Sequence, residues 1–306
     1  MKSEALSGRD LAAALVVVLV WGVNFVAMKF ALRDFTPFQL GAARFLFAGL
    51  PLALFIRPPQ VPWKWVVLYG LFQGVGQFGL LFIALKVGMT AALASVLLQT
   101  QVFFTALFGF VLLRERASRP LQAGMVLAAL GLACFGYNYA SPGTMGSSAT
   151  TVAGLLLTLC AAAMWALSNI VARRVQAVSS QYSPVAFVVW SGLVAVLPFM
   201  MLSWLFDAEA LRWQWLQASW TSWLSIAYLG WVATIIGYSL WTGLLKRHPA
   251  NRVSPFGLGV PVVGLAAGMG VLGEAVTPWQ WAGIALVAAA LACVMLGGLV
   301  RRRQEF

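Results

Sequence analysis

Residues 11–32 read LAAALVVVLVWGVNFVAMKFAL, an apolar run whose only ionisable residue is Lys29. A helix needs about 20 apolar residues to cross the hydrocarbon core of a bilayer. Because the run shows no small-residue cleavage site, we expect a retained span rather than a signal peptide. Similar runs follow, and the ten predicted spans are residues 11–32, 36–56, 64–86, 90–113, 120–139, 151–172, 183–206, 220–245, 250–272 and 279–300.

The composition indicates that lipid is the solvent of this chain. Of its 306 residues, 61% are hydrophobic and only 9% are charged, and the mean hydropathy is +0.88. Soluble globular chains carry about 25% charged residues. We therefore expect an all-α integral membrane protein, because a helix satisfies its backbone hydrogen bonds within its own segment.

The placement of the basic residues predicts the topology. The net charge is +12, but Lys and Arg lie in small clusters between apolar runs and form no basic face on a soluble domain, so we expect no nucleic-acid partner. With the amino terminus inside, fifteen of the 20 basic residues are cytoplasmic, four are external and Arg44 lies within a span. The positive-inside rule then predicts a multi-pass membrane protein with both termini in the cytoplasm.

Cysteine and histidine give no sign of a cofactor or a metal. Cys134, Cys160 and Cys293 all lie in apolar runs and match no zinc spacing, so we predict neither a disulfide framework nor a metal site. His248 stands at a helix end and is expected to be interfacial. An intramembrane enzyme is disfavoured because no nucleophile, base or ligand set lies at one depth. A receptor is disfavoured because there is no large soluble domain, and no protein partner is inferred.

The two halves of the chain resemble each other. A shift of 159 residues places Glu115 on Glu274, together with several neighbouring identities. Chance similarity between apolar helices is the alternative. We expect a first five-helix repeat at residues 1–143 and a second at residues 144–306, forming one integrated transmembrane domain. Because five is odd, the repeats must be inverted relative to each other, as in alternating-access carriers whose substrate site lies near the midplane between the repeats.

Four stretches carry a resemblance to a known family: WGVNFVAMK (21–29), AARFLFAGLPL (42–52), LRERASRPLQAGMVLAALG (113–131) and its second copy LGEAVTPWQWAGIALVAAAL (272–291). On these stretches the chain resembles the EamA-type branch of the drug/metabolite transporter superfamily over essentially its whole length. Within that family it is most similar to the bacterial amino-acid exporters, which implies export of small metabolites across the bacterial plasma (inner) membrane. Family members often have a proline in the fourth helix where this chain has Val102, whereas the matching Pro261 is present in the ninth helix.

The ionisable residues give no sign of ion coupling. Every Asp and Glu lies in a loop or at a helix end, so we hypothesise facilitated flux down the substrate gradient. Glu115 and Glu274 could form a gate, but a favourable charge at a helix N-terminus or a salt bridge to a nearby arginine is the simpler interpretation. Arg44 lies about 12 Å into the membrane. A structural role for Arg44 is favoured over a substrate contact.

Uncharged polar and aromatic side chains are the better candidates for a substrate site. Trp21 and Asn24 share one face of the first helix, and the sixth helix repeats that face with Trp165 and Asn169. The predicted substrate-binding set is Trp21, Asn24, Gln73, Gln77, Gln99, Gln101, Trp165, Asn169, Tyr228, Trp231 and Tyr238. Interhelical hydrogen bonding is the alternative role for each polar residue.

Two further expectations concern geometry within this set. Gln99 and Gln101 are two residues apart on one helix and are not expected to share a face. Tyr228, Trp231 and Tyr238 are expected along one side of the eighth helix. The predicted gating or hinge residues are Gly76, Gly79, Pro255 and Pro261. Close helix packing would also explain the glycines.

A cavity lined in this way would be aromatic, polar and uncharged. It suits a small-molecule substrate that is neutral or zwitterionic and has an apolar part. We therefore expect a secondary transporter that exports such metabolites, amino acids first among them, by alternating access through a central cavity. A drug or nucleobase exporter of the same fold is the alternative.

Overall fold

The structure is a computed structural model that describes residues 7–114, 118–140, 150–179, 182–248 and 250–303. Glu115 lies outside the described residues. Within these ranges all regular structure is helical, which confirms the all-α membrane class. The long helices are α1 (Gly8–Ala31), α2 (Pro37–Ala53), α3 (Trp63–Lys86), α4 (Ala91–Leu112), α5 (Arg119–Ala140), α6 (Val152–Val178), α7 (Pro184–Phe206), α8 (Trp220–Leu245), α9 (Pro255–Leu272) and α10 (Pro278–Arg303).

Helix α2 is the shortest of these segments. In the part of the chain that the structure describes, the other nine helices are long and apolar enough to cross a membrane, whereas α2 has 17 residues. A span requires roughly 17–25 residues. The start of α2 is tied to Asp207, whose carboxylate accepts a hydrogen bond from Thr36 at 2.7 Å, and beyond its other end the Ile56 carbonyl accepts one from Trp190 at 3.1 Å. The count of ten spans stays a prediction.

Side-chain caps fix where several helices begin. The Thr36 hydroxyl accepts a hydrogen bond from the Gln39 N–H while the Gln39 carboxamide oxygen accepts one from the Thr36 N–H, which forms a capping box at the start of α2. Thr277 and Gln280 form the same reciprocal pair at the start of α10. Each pair satisfies two backbone donors that the helix itself leaves unpaired.

The bundle has two ends with different chemistry. At the amino-terminal end, Asp10 accepts hydrogen bonds from Arg247 at 2.9 Å and lies 2.9 Å from the His248 ring. At the opposite end, called the far end here, Lys29 donates to the Leu85 carbonyl and Lys86 to the Leu32 carbonyl, at 2.9 and 2.8 Å. Each lysine therefore lies at the C-terminus of a neighbouring helix, where a cation is favoured.

The two halves are interlocked, because each packs its first helix against helices of the other half. Helix α1 packs mainly against α8 and α9, whereas α6 packs mainly against α3 and α4. Two further extensive contacts, α5 with α10 and α2 with α7, join helices at matching positions of the two halves. The first helix of each half is therefore packed into the other half.

Non-α turns also occur at matching places. Helix α3 contains a π-helical segment at Gly70–Gly79, and α8 contains one at Tyr228–Ile236. A 3₁₀ turn interrupts α4 at Leu98–Thr100, and another precedes the regular part of α9 at Ser254–Leu258. Helices α4 and α9 both end on a left-handed residue, Arg114 with φ 54° and Gly273 with φ 65°, at the same separation of 159 residues that aligns the two halves.

The predicted hinge residues lie in these irregular regions. Gly76 and Gly79 belong to the π-helical segment of α3, Pro255 lies in the 3₁₀ turn, and Pro261 follows in the first turn of the regular helix. A Cβ on Gly76 would lie 2.9 Å from Met164 on α6. Close packing therefore accounts for Gly76, and a hinge role for the four residues stays a prediction.

Candidate functional site

A cavity of about 500 Å³ lies in the middle of the bundle, where α1, α3, α4, α6, α8, α9 and α10 meet around Arg44 of α2. Cavities that bind small molecules usually have volumes of about 300–1,000 Å³. Nine of the eleven residues predicted for the substrate site line it, namely Trp21, Asn24, Gln73, Gln77, Gln99, Gln101, Trp165, Asn169 and Tyr238. The structure thus brings together residues from both halves of the chain.

Trp21 forms one aromatic wall of the cavity. Its indole N–H donates to the Ala233 carbonyl at 2.9 Å, and its ring lies 5.2 Å from Tyr238 and 5.5 Å from Trp241 between centroids. Ala233 belongs to the π-helical segment of α8. The hydrogen bond and the two ring contacts hold the Trp21 side chain in one orientation.

Amide side chains cross-link the helices on the Trp165 side of the cavity. The Gln73 carboxamide donates to Gln77 at 2.7 Å, and the Ser168 hydroxyl of α6 donates to Gln73. Asn169 donates to the Gln101 side-chain oxygen at 2.7 Å, which connects α6 to α4. Except for Ser168, these residues also line the cavity. The same side chains therefore form the cavity wall and hydrogen-bond the helices to one another.

Gln99 and Gln101 were not expected to share one face of α4, yet both line the cavity. The 3₁₀ turn at Leu98–Thr100 has three residues per turn, which reduces the angle between positions two apart relative to an α-helix. Helix α4 also lies between α9 and α6. On the α9 side, the Gln99 carboxamide donates to the Gly257 carbonyl at 3.5 Å, and on the α6 side the Gln101 side-chain oxygen accepts a hydrogen bond from Asn169.

The prediction that Tyr228 and Trp231 line the site with Tyr238 is also wrong in placement. Neither lines the cavity; the Tyr228 hydroxyl donates to the Val20 carbonyl at 2.7 Å, and the Trp231 indole donates to the Phe47 carbonyl at 2.9 Å. Trp231 is 48% exposed on the bundle surface. The π-helical segment at Tyr228–Ile236 has more residues per turn than an α-helix, so the angular spacing that aligned the three residues does not hold there.

Three cavity residues with hydrogen-bonding side chains, Tyr69, Trp241 and Arg44, were not in the predicted substrate-binding set. Tyr69 and Trp241 line the cavity, and the helical spacing could have predicted both. Tyr69 is four residues from Gln73 and Trp241 is three residues from Tyr238, so each shares a helix face with a predicted residue. Arg44 lines it as well, with only 3% of its surface exposed, although a structural role was favoured from the sequence. Its guanidinium carbon lies 4.0 Å from the centroid of the Phe78 ring.

The cavity wall is aromatic and amide-rich. Among the described residues, no Asp or Glu lines the cavity, and no cluster of His, Cys, Asp or Glu could hold a metal ion. Towards the far end the cavity is bounded by Met28 and Leu81, both fully buried. The arrangement can accommodate a small molecule, stack against its apolar part and bind its polar groups.

Glu274 lies at the far end, beyond these buried residues. Its two carboxylate oxygens accept hydrogen bonds from the backbone N–H groups of Ala91 and Ala92, each at 2.8 Å. The carboxylate therefore lies at a helix N-terminus, as the simpler interpretation requires, but the helix is α4 rather than the adjacent α10. The link joins the end of α9 to the beginning of α4.

Comparison with known proteins agrees with this architecture. The model of the EamA-like transporter family matches the chain twice, at residues 10–137 and 152–296. A "Probable amino-acid metabolite efflux pump" of Salmonella typhimurium (strain LT2) is 39% identical over 97% of this chain and 98% of its own length. A protein of the same description from Escherichia coli (strain K12) is 38% identical over 92% of this chain and 93% of its own.

More distant similarities extend over most of the chain. An "Uncharacterized inner membrane transporter" of Escherichia coli (strain K12) is 22% identical over 93% of this chain and 90% of its own length. A solved crystal structure with 22% sequence identity superposes with a TM-score of 0.60 and covers 97% of this chain and 99% of its own, which supports the fold alone. The chain is a multi-pass membrane protein that belongs to the EamA-like transporter family.

Proposed function

We propose that this protein exports small neutral or zwitterionic metabolites, and amino acids in particular, by alternating access through the central cavity. The observation that carries the proposal is the wall of that cavity, where Trp21 and Trp165 from matching helices of the two halves meet several carboxamides. Aromatic faces suit an apolar side chain, and carboxamides suit the polar groups of a zwitterion. The names of the relatives from Salmonella and Escherichia coli support the same substrate class.

The packing of the two halves supports an alternating-access mechanism. The exchange of α1 and α6 between halves, the paired π-helical segments and the two left-handed helix ends 159 residues apart are what an inverted repeat would produce. The two family-model matches also fall on either side of the proposed division at residues 143 and 144. We place the protein in the bacterial inner membrane with both termini in the cytoplasm, in agreement with the charge distribution.

Counterflow of labelled amino acids into proteoliposomes tests this function. We expect the wild-type protein to accumulate labelled methionine, threonine or an aromatic amino acid. Trp21→Ala and Trp165→Ala should lower the flux about tenfold or more, because a lost contact of about 1.4 kcal/mol changes an equilibrium tenfold. Trp204→Ala is the matched control, since Trp204 is 62% exposed on α7 and does not line the cavity.

Each outcome of the counterflow experiment leads to a different conclusion about the proposed function. Loss of flux in both cavity variants, with folded protein and an active Trp204→Ala control, supports the central site. Full activity of the two cavity variants would remove the cavity from the transport path. If well-folded wild-type protein moves no amino acid, the amino-acid assignment is wrong, and nucleobases and cationic drugs become the substrates to screen.

A further inference from the structure

Two polar side chains in the cavity wall lack hydrogen-bond partners. The Nε and Nη1 atoms of Arg44 and the Oδ1 atom of Asn24 are buried and unpartnered among the described residues. Both residues line the central cavity, and they are only 3% and 8% exposed. One supplies a cationic donor and the other an acceptor. Unsatisfied groups of this kind are costly in a protein interior, so their retention in a cavity calls for a ligand.

The surroundings of Arg44 leave two of its guanidinium nitrogens, Nε and Nη1, without a hydrogen-bond partner among the described residues. The Phe78 ring covers one face of the guanidinium, and Phe78 is itself held by Phe45, with ring centroids 5.6 Å apart. A cation over a ring face keeps its N–H groups, which lie in the guanidinium plane, available for an acceptor. No carboxylate of the described residues lines the cavity. The charge of Arg44 therefore has no counter-ion there.

A carboxylate is the group that best matches this arrangement. The planar guanidinium presents its donors as a fork that fits the two oxygens of a carboxylate. Binding such a group would satisfy one of the two unpartnered nitrogens and neutralise a charge that is expensive at membrane depth. A cationic amine without a carboxylate would instead face an uncompensated positive charge.

We propose that Arg44 binds the carboxylate of the transported substrate and that the side-chain carbonyl of Asn24 binds its ammonium group. The inference rests on the proposed function and narrows it: the substrate class is the free amino acid, and amines or amino-acid carboxamides are rejected. The apolar side chain of the substrate then faces Trp21 and Trp165, the aromatic residues of the same cavity.

Competition in wild-type proteoliposomes tests this without any variant. Counterflow of a labelled aromatic amino acid is measured against the unlabelled amino acid, its carboxamide, which lacks the carboxylate, and its N-acetyl derivative, which lacks the ammonium group. We expect each derivative to compete at least about tenfold more weakly, which corresponds to about 1.4 kcal/mol. A carboxamide that competes as well as the amino acid overturns the role of Arg44. An equally effective N-acetyl derivative overturns that of Asn24.

Substitution of Arg44 gives an independent readout. Arg44→Gln should lower amino-acid flux about tenfold or more while leaving or raising carboxamide flux, and Arg44→Lys should keep part of the preference because it keeps the charge. Arg212→Gln is the matched control: the Nε atom of Arg212 is also buried and unpartnered among the described residues, and its guanidinium lies 4.7 Å from the Trp204 ring, outside the cavity.

The result distinguishes the inference from the function on which it rests. Equal loss of amino-acid and carboxamide flux in folded Arg44→Gln protein would make Arg44 structural and overturn the inference alone. If Arg44→Gln yields no folded protein, the wild-type competition decides the question. Failure of wild-type protein to move any amino acid overturns the proposed function and the inference together.

Discussion

Ser168 illustrates how a polar residue supports the cavity without lining it. Its hydroxyl donates to the Gln73 side-chain oxygen and lies 2.7 Å from the Trp165 carbonyl, and Gln73 in turn donates to Gln77. Gln73 and Gln77 lie in the π-helical segment of α3, and Ser168 is fully buried on α6. The hydroxyl therefore orients two carboxamides that line the cavity.

Replacing Ser168 with alanine should loosen this network. We expect Ser168→Ala to destabilise the protein by about 1–3 kcal/mol, because an acceptor on Gln73 is left unsatisfied in a buried position. Amino-acid flux should fall as well, since Gln73 loses the bond that orients it. Thermal unfolding in detergent and counterflow in proteoliposomes measure the two effects.

Ser225→Ala serves as the control for that substitution. Ser225 is also buried, but its hydroxyl donates only to the Thr221 carbonyl of its own helix, at 2.8 Å. We expect a smaller loss of stability and an unchanged flux. Equal effects of the two substitutions would mean that the contact between Ser168 and Gln73 contributes nothing specific.

At the scale of single residues, the sequence was informative where helices are regular. Trp21, Asn24, Trp165 and Asn169 line one cavity, as the helical periodicity predicted, because α1 and α6 are continuous α-helices. Tyr228 and Trp231 were misplaced because α8 contains a π-helical segment that no residue pattern announced. Arg44 was recognised as unusual at its depth, but only the three-dimensional arrangement places it in the cavity without a counter-ion.

Among the helices, α4 shows that an interruption does not need a proline. The chain has Val102 where a proline kink would be expected, yet a 3₁₀ turn occurs at Leu98–Thr100. The hydroxyls of Thr100 and Thr105 donate to the backbone carbonyls of Leu97 and Gln101, at 2.6 and 2.7 Å. Such bonds compete with the helical hydrogen bonds and bend helices.

The contact between Glu274 and α4 gives a prediction at the scale of helices. Glu274→Gln removes the charge and leaves one oxygen for two backbone N–H groups, so we expect a loss of about 1–3 kcal/mol in stability. Denaturant unfolding of the purified protein measures this loss. Glu209→Gln is the control, because Glu209 is exposed on the short helix Glu209–Arg212. An unchanged stability of Glu274→Gln would show that α4 and α9 are held together by apolar packing alone.

On the scale of the whole molecule, the position of the acidic residues predicts the energetics of transport. Those that the structure describes lie at the two ends of the bundle, as Asp10 and Glu274 do, and none of them lines the cavity. Without a carboxylate on the transport path, we expect no proton to be carried with the substrate.

A proton ionophore tests this expectation. Addition of the ionophore to proteoliposomes with an imposed pH gradient should leave amino-acid counterflow unchanged, within about twofold. Liposomes without protein control for passive leakage of the substrate. A flux that collapses when only the proton gradient is removed would contradict facilitated transport and would require a protonatable group on the path.

The sequence alone determined the membrane class, the presence of many long apolar helices and most of the polar residues that line the cavity. These properties follow from local composition and periodicity, since a bilayer requires long apolar helices and an α-helix fixes which residues share a face. The tertiary structure decided which helices pack into the opposite half, that Gln99 and Gln101 line one cavity, and that Arg44 and Asn24 line it with buried polar atoms that lack partners. Those features depend on contacts between residues far apart in the chain and on π-helical and 3₁₀ turns, which no local pattern specifies.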